Sequence, residues 1–555
     1  MASWPFKTRG TTPANGDSHP LLPTNGDGFG DEDDDREIER EMSRFATEER
    51  RRPGWLRRNW PYVTGGALVF FLFLAFVRGR RDDGDAPISR PLEPYRGHIR
   101  ANYSVQSLLS RQSTTLEQAK SRYALRNNRS PPPNYDEWYK FARDRSCLID
   151  EYEQISRDFA PFYQLAQDNP AYFRKMVASA SSKVKKDGVG MKTGKFRNKE
   201  FSFTDDQGTL YTGDWPRTFE RFAYFMPDMD IILNGRDEPR VVFNIRVPNT
   251  REKALDLSDP TPFEHSPRPT DKYFRDEMKC LIPMRPKGFT GLANDASAFM
   301  LSSSSTEFTH DLYPLLSMTK ISPCFSDILV PSEFYYSDSY WNPRYPFPNN
   351  VIWSDKISKL YWRGKTSGGW IYDDNYHSFP RFRLMDIARS QGKLMNVKFS
   401  EFHDGLCTEH CNADKVKAEY HIVGDSSPRE EVYNYKYLFD VDGNSFSGRY
   451  HGLLKSGSLV FKSTVFEEYF NDWLRPFVHY IPILPDLSDL VEKLEWAVQH
   501  DNEAHAIQET GQLFAERVLT DAQNDCYFSL VLLEWARLQA LVHEVPAGGD
   551  TSANE

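Results

Sequence analysis

Arg449 closes a polar run, Asn444-Ser445-Phe446-Ser447-Gly448-Arg449, that follows an apolar Tyr437-Leu438-Phe439 and a turn at Asp442-Gly443. A helical segment, Tyr450 to Leu454, and a second apolar run, Ser458-Leu459-Val460-Phe461, come after it. A strand, a Gly/Ser loop and a helix start together present backbone N–H groups and one guanidinium, a donor set that suits a phosphate. The arginine fork fits a pyrophosphate bidentately and needs no proton exchange to stay charged. Taken alone, the pattern is also that of an ordinary strand–turn–helix in an α/β core.

Two further stretches carry chemistry. Leu360-Tyr361-Trp362 reads as a short strand and opens into Arg363-Gly364-Lys365-Thr366-Ser367-Gly368-Gly369-Trp370. The Gly-Lys-Thr triplet is not a P-loop, because that motif needs a glycine five residues before Gly364, where Lys359 stands. Upstream, the strand-like Asp230-Ile231-Ile232-Leu233 runs into Asn234-Gly235-Arg236-Asp237. A carboxylate just beyond a parallel strand's C-terminal end lies where α/β clefts bind ligands. The plainer reading is that Asp237 caps the turn before Pro239 or pairs with Arg236. Asp440-Val441-Asp442 places two carboxylates on one side of a strand, which suits Mg²⁺ or Mn²⁺. His479, alone in an aromatic, proline-rich strand, reads as structural.

Taken with Glu467-Glu468-Tyr469-Phe470 and Pro476-Phe477-Val478-His479-Tyr480-Ile481-Pro482, these motifs resemble glycosyltransferase family 90. That family holds the fungal capsule-associated glycosyltransferases and the related animal protein O-glucosyltransferases. The likeness runs from roughly Tyr152 to Ile483 and rests on the order and combination of the motifs. It implies an α/β fold of two Rossmann-like lobes, the GT-B type, divided near residues 330–350. It implies inverting transfer of a sugar, xylose or glucose, from a UDP-sugar to a hydroxyl of a glycan or protein. Asp237 falls on the catalytic base. Arg363, Gly364, Thr366, Ser367 and Gly368 fall on one donor loop. Asn444, Ser445, Phe446, Ser447, Gly448 and Arg449 fall on the donor phosphate loop. Glu468, or its neighbour Glu467, falls where ribose hydroxyls are held. The family commonly carries a further arginine just after the first loop. Here the chain reads Gly-Gly-Trp-Ile-Tyr, and Lys365 or Arg381 is the candidate to replace it. Arginines and amides that stabilise a departing diphosphate remove the need for a metal or other cofactor. The Asp440/Asp442 pair keeps a metal-dependent transferase using Mn²⁺ open, and the departure after Gly369 keeps open a catalytically inactive sugar-binding or scaffolding relative.

The elements that must position these residues occupy only part of the chain. Its 555 residues exceed one domain's usual size. A net charge of -10 with no broad basic field argues against a nucleic-acid partner. Residues 1–59 are polar, with the acidic run Asp31 to Asp35, and read as a disordered cytosolic tail. Residues 60–77, WPYVTGGALVFFLFLAFV, are uncharged and flanked by arginines, and read as a single transmembrane helix. With about 59 residues before it the segment is no cleaved signal peptide. The shortness of the span suits a thin early-secretory membrane. The expected chain is thus a type II protein of the Golgi or endoplasmic reticulum membrane with a lumenal catalytic domain. Residues 78–135 read as a stem, 136–545 as the catalytic domain and 546–555 as a disordered tail. Six cysteines follow the apolar span, and an oxidising lumen permits disulfides, Cys407 with Cys411 being the nearest pair. A zinc site with His403 and His410 is the alternative. Phe222 to Phe225 is expected as a strand edge, and the Lys/Gly-rich Ser179 to Phe203 as a mobile segment.

Overall fold

The computed structural model describes residues 104–187, 191–204, 214–244, 264–265, 307–309, 312–322, 324–339, 351–371, 373–407, 410–424 and 427–544. The 1–59 tail, the 60–77 apolar run and the 546–555 tail lie outside the described residues. Among the described residues no helix is long and apolar enough to cross a membrane.

The chain enters through α1 (Val105–Ser110) and α2 (Leu116–Asn127), each capped by a hydroxyl, Ser104 and Thr115, accepting from a first-turn N–H. Both lie within the span read as a stem, yet they are docked on the fold. Buried Asp150 accepts from the Ser113 N–H and hydroxyl, and Arg122 lies 2.9 Å from the same carboxylate. Next come α3 (Tyr135–Asp144), α4 (Glu153–Asp168) and α5 (Pro170–Asp187). Trp138 and Phe141 of α3, and Ile155, Phe159 and Phe162 of α4, recur at helical spacing and are buried.

A mixed five-stranded sheet follows. It contains β1 (Met191–Arg197), β2 (Glu200–Phe203), β3 (Met229–Asn234), β6 (Leu316–Ser317) and β7 (Ile328–Leu329) in the order β2-β1-β3-β6-β7. Helix α6 (Trp215–Glu220) precedes β3, and the short β4 (Glu264–His265) and β5 (Glu307–Phe308) pair separately. Strand β3 is parallel to β6 and β6 to β7, but β1 is antiparallel to both β2 and β3. The α/β expectation holds, while this sheet departs from a wholly parallel Rossmann pattern. The reason lies in the stretch expected to be mobile. Asn198 and Lys199, at φ 54° and 67°, form the tight hairpin turn that joins β1 to β2. Gly194 lies under the ring of Phe201, and a Cβ there would come within 2.6 Å of that ring. The half-buried Lys192 and Lys195 that suggested mobility are interspersed with buried Met191, Thr193, Gly194 and Phe196. Phe222–Phe225, expected as a strand edge, contains a 3₁₀ turn at Ala223–Phe225 instead. One helical turn places the rings of Phe222 and Phe225 together on Phe141, which a strand could not do.

The second sheet is built from β8 (Ile357–Lys365), β9 (Met395–Glu401), β10 (Tyr435–Val441), β11 (Leu459–Ser463) and β12 (Ile481–Pro482). Helix α7 (Pro380–Ser390) joins β8 to β9, α8 (Ala413–Glu419) lies between β9 and β10, and α9 (Tyr450–Leu454) joins β10 to β11. Every pairing is parallel and the order is β12-β11-β10-β8-β9. Counted from β8, that is the doubly wound order 2-1-3-4-5, whose direction reverses between β8 and β10. All five residues of β11 and six of the seven of β10 are buried, as strands covered on both faces must be.

Three helices close the chain: α10 (Leu490–Gln499), α11 (Asp501–Arg517) and α12 (Asp521–Glu544). Helix α11 packs on β11 and α9, whereas α12 packs on α3, α4 and α5, so this arm braces both sheets. A Cys147–Cys526 disulfide and a bond from Trp138 Nε1 to the Cys526 carbonyl fasten α12 to the N-terminal helices. Cys407 and Cys411 pair with each other at a Cα separation of 5.2 Å, so neither thiol is left for the zinc alternative.

Candidate active site

Chains leaving β8 and β10 diverge to form a crevice at the sheet's point of reversal, the place where doubly wound sheets bind ligands. A cleft of roughly 440 Å³ opens there, lined in part by Arg363, Gly364, Lys365, Ser367, Arg381 and Arg449. The two loops beside it are tied together, because the Gly368 N–H donates to Asn444 Oδ1 at 3.2 Å.

Two arginines dominate the crevice. Arg449, the residue before α9, donates from Nη1 to the Arg363 carbonyl at 2.8 Å. Its buried Nη2 has no hydrogen-bond partner among the described residues. Arg381, at the first turn of α7, bridges both loops. Its Nε donates to the Asp442 carbonyl at 2.9 Å, and its Nη1 to the Lys365 carbonyl at 2.9 Å and to Ser367 Oγ at 2.5 Å. Burial first, and then the nearby Arg449 charge, lower the Arg381 pKa to about 9 against the opposing pull of Asp442 and Asp440. Neighbouring guanidinium groups repel each other unless an anion joins them. A Cβ on Gly443 would lie 2.7 Å from Arg381 Nη2, so glycine keeps the space beside that guanidinium open.

The other residues of the two loops divide by role. The Arg363 guanidinium lies 4.4 Å over Tyr361 and donates to the Asn396 carbonyl and Oδ1 on β9. Its carbonyl orients Arg449. Gly364 is covered by the Trp362 ring, 2.6 Å from a would-be Cβ, at a bulge in the β8–β9 pairing. Thr366 is wholly buried and accepts from the His403 N–H. Lys365, the other replacement candidate, pairs with Glu401 on the surface. Phe446 packs on Phe334 and Tyr335, and Gly448 lies flat against Phe334. The hydroxyls of Ser445 and Ser447 are buried without hydrogen-bond partners among the described residues.

Beneath the crevice Asp440, Asp442 and Glu468 surround Lys462. The Lys462 ammonium lies 2.8 Å from Asp440, its direct partner across β10 and β11, 3.9 Å from Glu468 and 3.9 Å over the Tyr450 ring. Asp442 Oδ2 accepts from the Val465 N–H at 2.9 Å. Glu468, expected at the ribose, is fully buried and accepts from the Tyr335 hydroxyl. Burial raises Glu468 to about 8 and Asp442 to about 7. Both carboxyls therefore hold protons in the folded chain that the unfolded chain releases near pH 4. Folded protein binds more protons between those limits, so stability falls as pH rises through them. The expected result is a denaturation midpoint that declines from pH 5 to pH 8, with a shallower decline in Glu468→Gln. Equal slopes for the two proteins would refute the assignment.

Asp237 sits half-buried in the turn beyond β3. Asn234 builds that turn: its Nδ2 donates to the Glu238 carbonyl at 2.7 Å and to Ser317 Oγ at 3.1 Å, and its Oδ1 accepts from the Arg236 N–H. Lys320, just after β6, exchanges both backbone hydrogen bonds with Glu467, just after β11. Because β3 is parallel to β6, and β10 to β11, this bridge brings together the C-terminal ends of the parallel strands in both sheets. Asp237 and Arg449 follow those ends. His479 is buried, and its Nδ1 accepts from the Arg475 N–H, a structural placement.

Residues 348–554 match the family described as Glycosyl transferase family 90. Protein O-glucosyltransferase 2 of Danio rerio is 32% identical over 198 residues, which cover 36% of this chain and 36% of that protein. Human Protein O-glucosyltransferase 3 is 40% identical over 197 residues, 35% of each chain. Human Protein O-glucosyltransferase 1 is 27% identical over 242 residues, 40% of this chain and 57% of that one. The chain thus spans about a third of the length of the first two relatives and somewhat over half of the third.

Proposed function

We propose that this chain, whose residues 348–554 belong to glycosyltransferase family 90, transfers a sugar from a UDP-sugar to a hydroxyl of a glycan or protein with inversion at the anomeric carbon. One observation carries the reading: buried Arg381 and half-buried Arg449 line one cleft at the reversal point of a doubly wound sheet, a pair of guanidinium groups suited to a diphosphate. The relatives' O-glucosyltransferase names support the reaction class.

In this reading the two sheets act as the two lobes of a GT-B transferase, with donor on the second and acceptor against the first. Asp237 takes the proton from an acceptor hydroxyl, and the oxygen attacks the anomeric carbon from the face opposite the diphosphate. The bond from that carbon to the diphosphate oxygen breaks, and UDP leaves with the electron pair. Arg449 and Arg381 stabilise the charge that develops there. Lys462 already pairs with Asp440 and lies 3.9 Å from Glu468, so its ammonium competes with a divalent cation for Asp440. The 60–77 segment would anchor the chain as a type II protein of the Golgi or endoplasmic reticulum membrane.

The test is a transfer assay of purified protein with UDP-xylose or UDP-glucose and glycan and protein acceptors, with the product's anomeric configuration read by NMR. Inverted product, formed with EDTA present, is expected. Retained configuration would overturn the single-displacement reading.

A further inference from the structure

Glu333 is the one residue of the interlobe turn that nothing described so far accounts for. Ser332 opens a single 3₁₀ turn, Glu333–Tyr335, and its Oγ accepts from the Phe334 N–H at 3.2 Å. The other two residues of the turn are committed to the second sheet. Phe334 lies over Gly448, where a Cβ would be 2.7 Å from its Cγ, and the Tyr335 hydroxyl donates to Glu468. The turn is thereby clamped onto the loop that carries Arg449.

Successive side chains of such a turn point in different directions, and the charges that act on Glu333 lie on the side of the first sheet. The charged groups that reach it are Asp214, just before α6, and Lys192 on β1. Lys192 pairs with Leu233, next to the C-terminal end of β3 from which the Asp237 turn departs. Glu333 is 1% exposed, yet neither carboxyl oxygen has a hydrogen-bond partner among the described residues. Burial, reinforced by Asp214, raises its pKa to about 9, so near neutrality it is an uncharged acid with an unfilled O–H donor and an unfilled acceptor. A buried polar group left unpaired costs about 1–3 kcal/mol. A protein keeps such a cost where a ligand relieves it.

We propose that Glu333 is a sugar-recognition residue that exchanges a pair of hydrogen bonds with one carbohydrate hydroxyl at the junction of the two sheets. A hydroxyl donates and accepts at once, which matches what a neutral carboxylic acid lacks. The proposal rests on the transferase reading above, and the hydroxyl can belong to the transferred sugar or to the acceptor. No proton moves in this role; the residue positions.

The experiment compares wild type, Glu333→Gln and Glu333→Leu in binding of UDP, binding of the UDP-sugar, KM for each substrate and thermal midpoint. The amide keeps one donor and one acceptor, so Glu333→Gln should stay within about twofold of wild type. Glu333→Leu removes both and should weaken one sugar contact about tenfold, or about 1.4 kcal/mol. UDP binding should hold and the thermal midpoint should not fall, since an unpaired acid has been removed. A loss in UDP-sugar binding with UDP unchanged assigns the hydroxyl to the transferred sugar, and a rise confined to acceptor KM assigns it to the acceptor. Unchanged binding and KM in Glu333→Leu would overturn the proposal, as would equal losses in both variants. Failure of wild type to bind UDP would instead overturn the transferase reading itself.

Discussion

Asp237→Asn is expected to lower kcat by about 10²–10⁴-fold, the usual contribution of a positioned base, while UDP binding and the thermal midpoint stay near wild type. The side chain lies in a turn that Asn234 braces through three hydrogen bonds. An asparagine keeps the size and one acceptor but cannot take a proton, so the fold should survive. A single-turnover assay with saturating UDP-sugar measures the step directly. Unaltered turnover would remove Asp237 from the chemistry.

Arg449→Ala should reduce kcat by about 10²–10³-fold, about 2.7–4 kcal/mol, the scale seen when one preorganised donor to a developing negative charge is deleted. Affinity for UDP should fall as well, because the same group meets the diphosphate in the ground state. The substitution also removes a positive charge that weighs on buried Arg381, so ligand-free stability should fall much less than binding. Lysine is a poor substitute, since a point charge cannot hold the Arg363 carbonyl and a phosphate oxygen in one plane. Loss of ligand-free stability comparable to the loss of binding would mean that Arg449 is a structural residue.

The second sheet was largely legible from sequence because its chemistry and topology share one text. Tyr437-Leu438-Phe439 and Leu459-Val460-Phe461 are continuous apolar runs, as buried parallel strands must be, and the loop carrying Arg449 follows the first of them. Arg363 and Arg381 show the limit of that reading. Sequence places Arg363 beside the crevice, but only the β8–β9 pairing shows its guanidinium turned onto Asn396. Arg381 lies sixteen residues beyond Lys365 and reaches the same crevice because α7 brings it back.

The first sheet was harder because Lys192, Gly194 and Lys195 interrupt the apolar text of a strand whose burial does not follow strict alternation. Of the charge cluster under the crevice, the acids were visible in the sequence but their meeting with Lys462 was not. Asp440 and Glu468 meet Lys462 through strand register and a turn, which no spacing in the sequence records. A lysine inside the apolar Leu459-Val460-Phe461-Lys462 run is the one signal that pointed there, because a buried lysine requires a buried acid. Glu333 left no comparable mark, since its burial depends on both sheets closing around one turn.

A titration of UDP into wild-type and Arg449→Ala protein, read as the thermal shift, tests the central claim most directly. Ligand at 100 times its dissociation constant should stabilise wild type by about 2.7 kcal/mol. The shift should be lost in the variant at the same concentration and should not need added metal. An equal shift in both proteins, or none in wild type, would contradict a diphosphate site between Arg449 and Arg381.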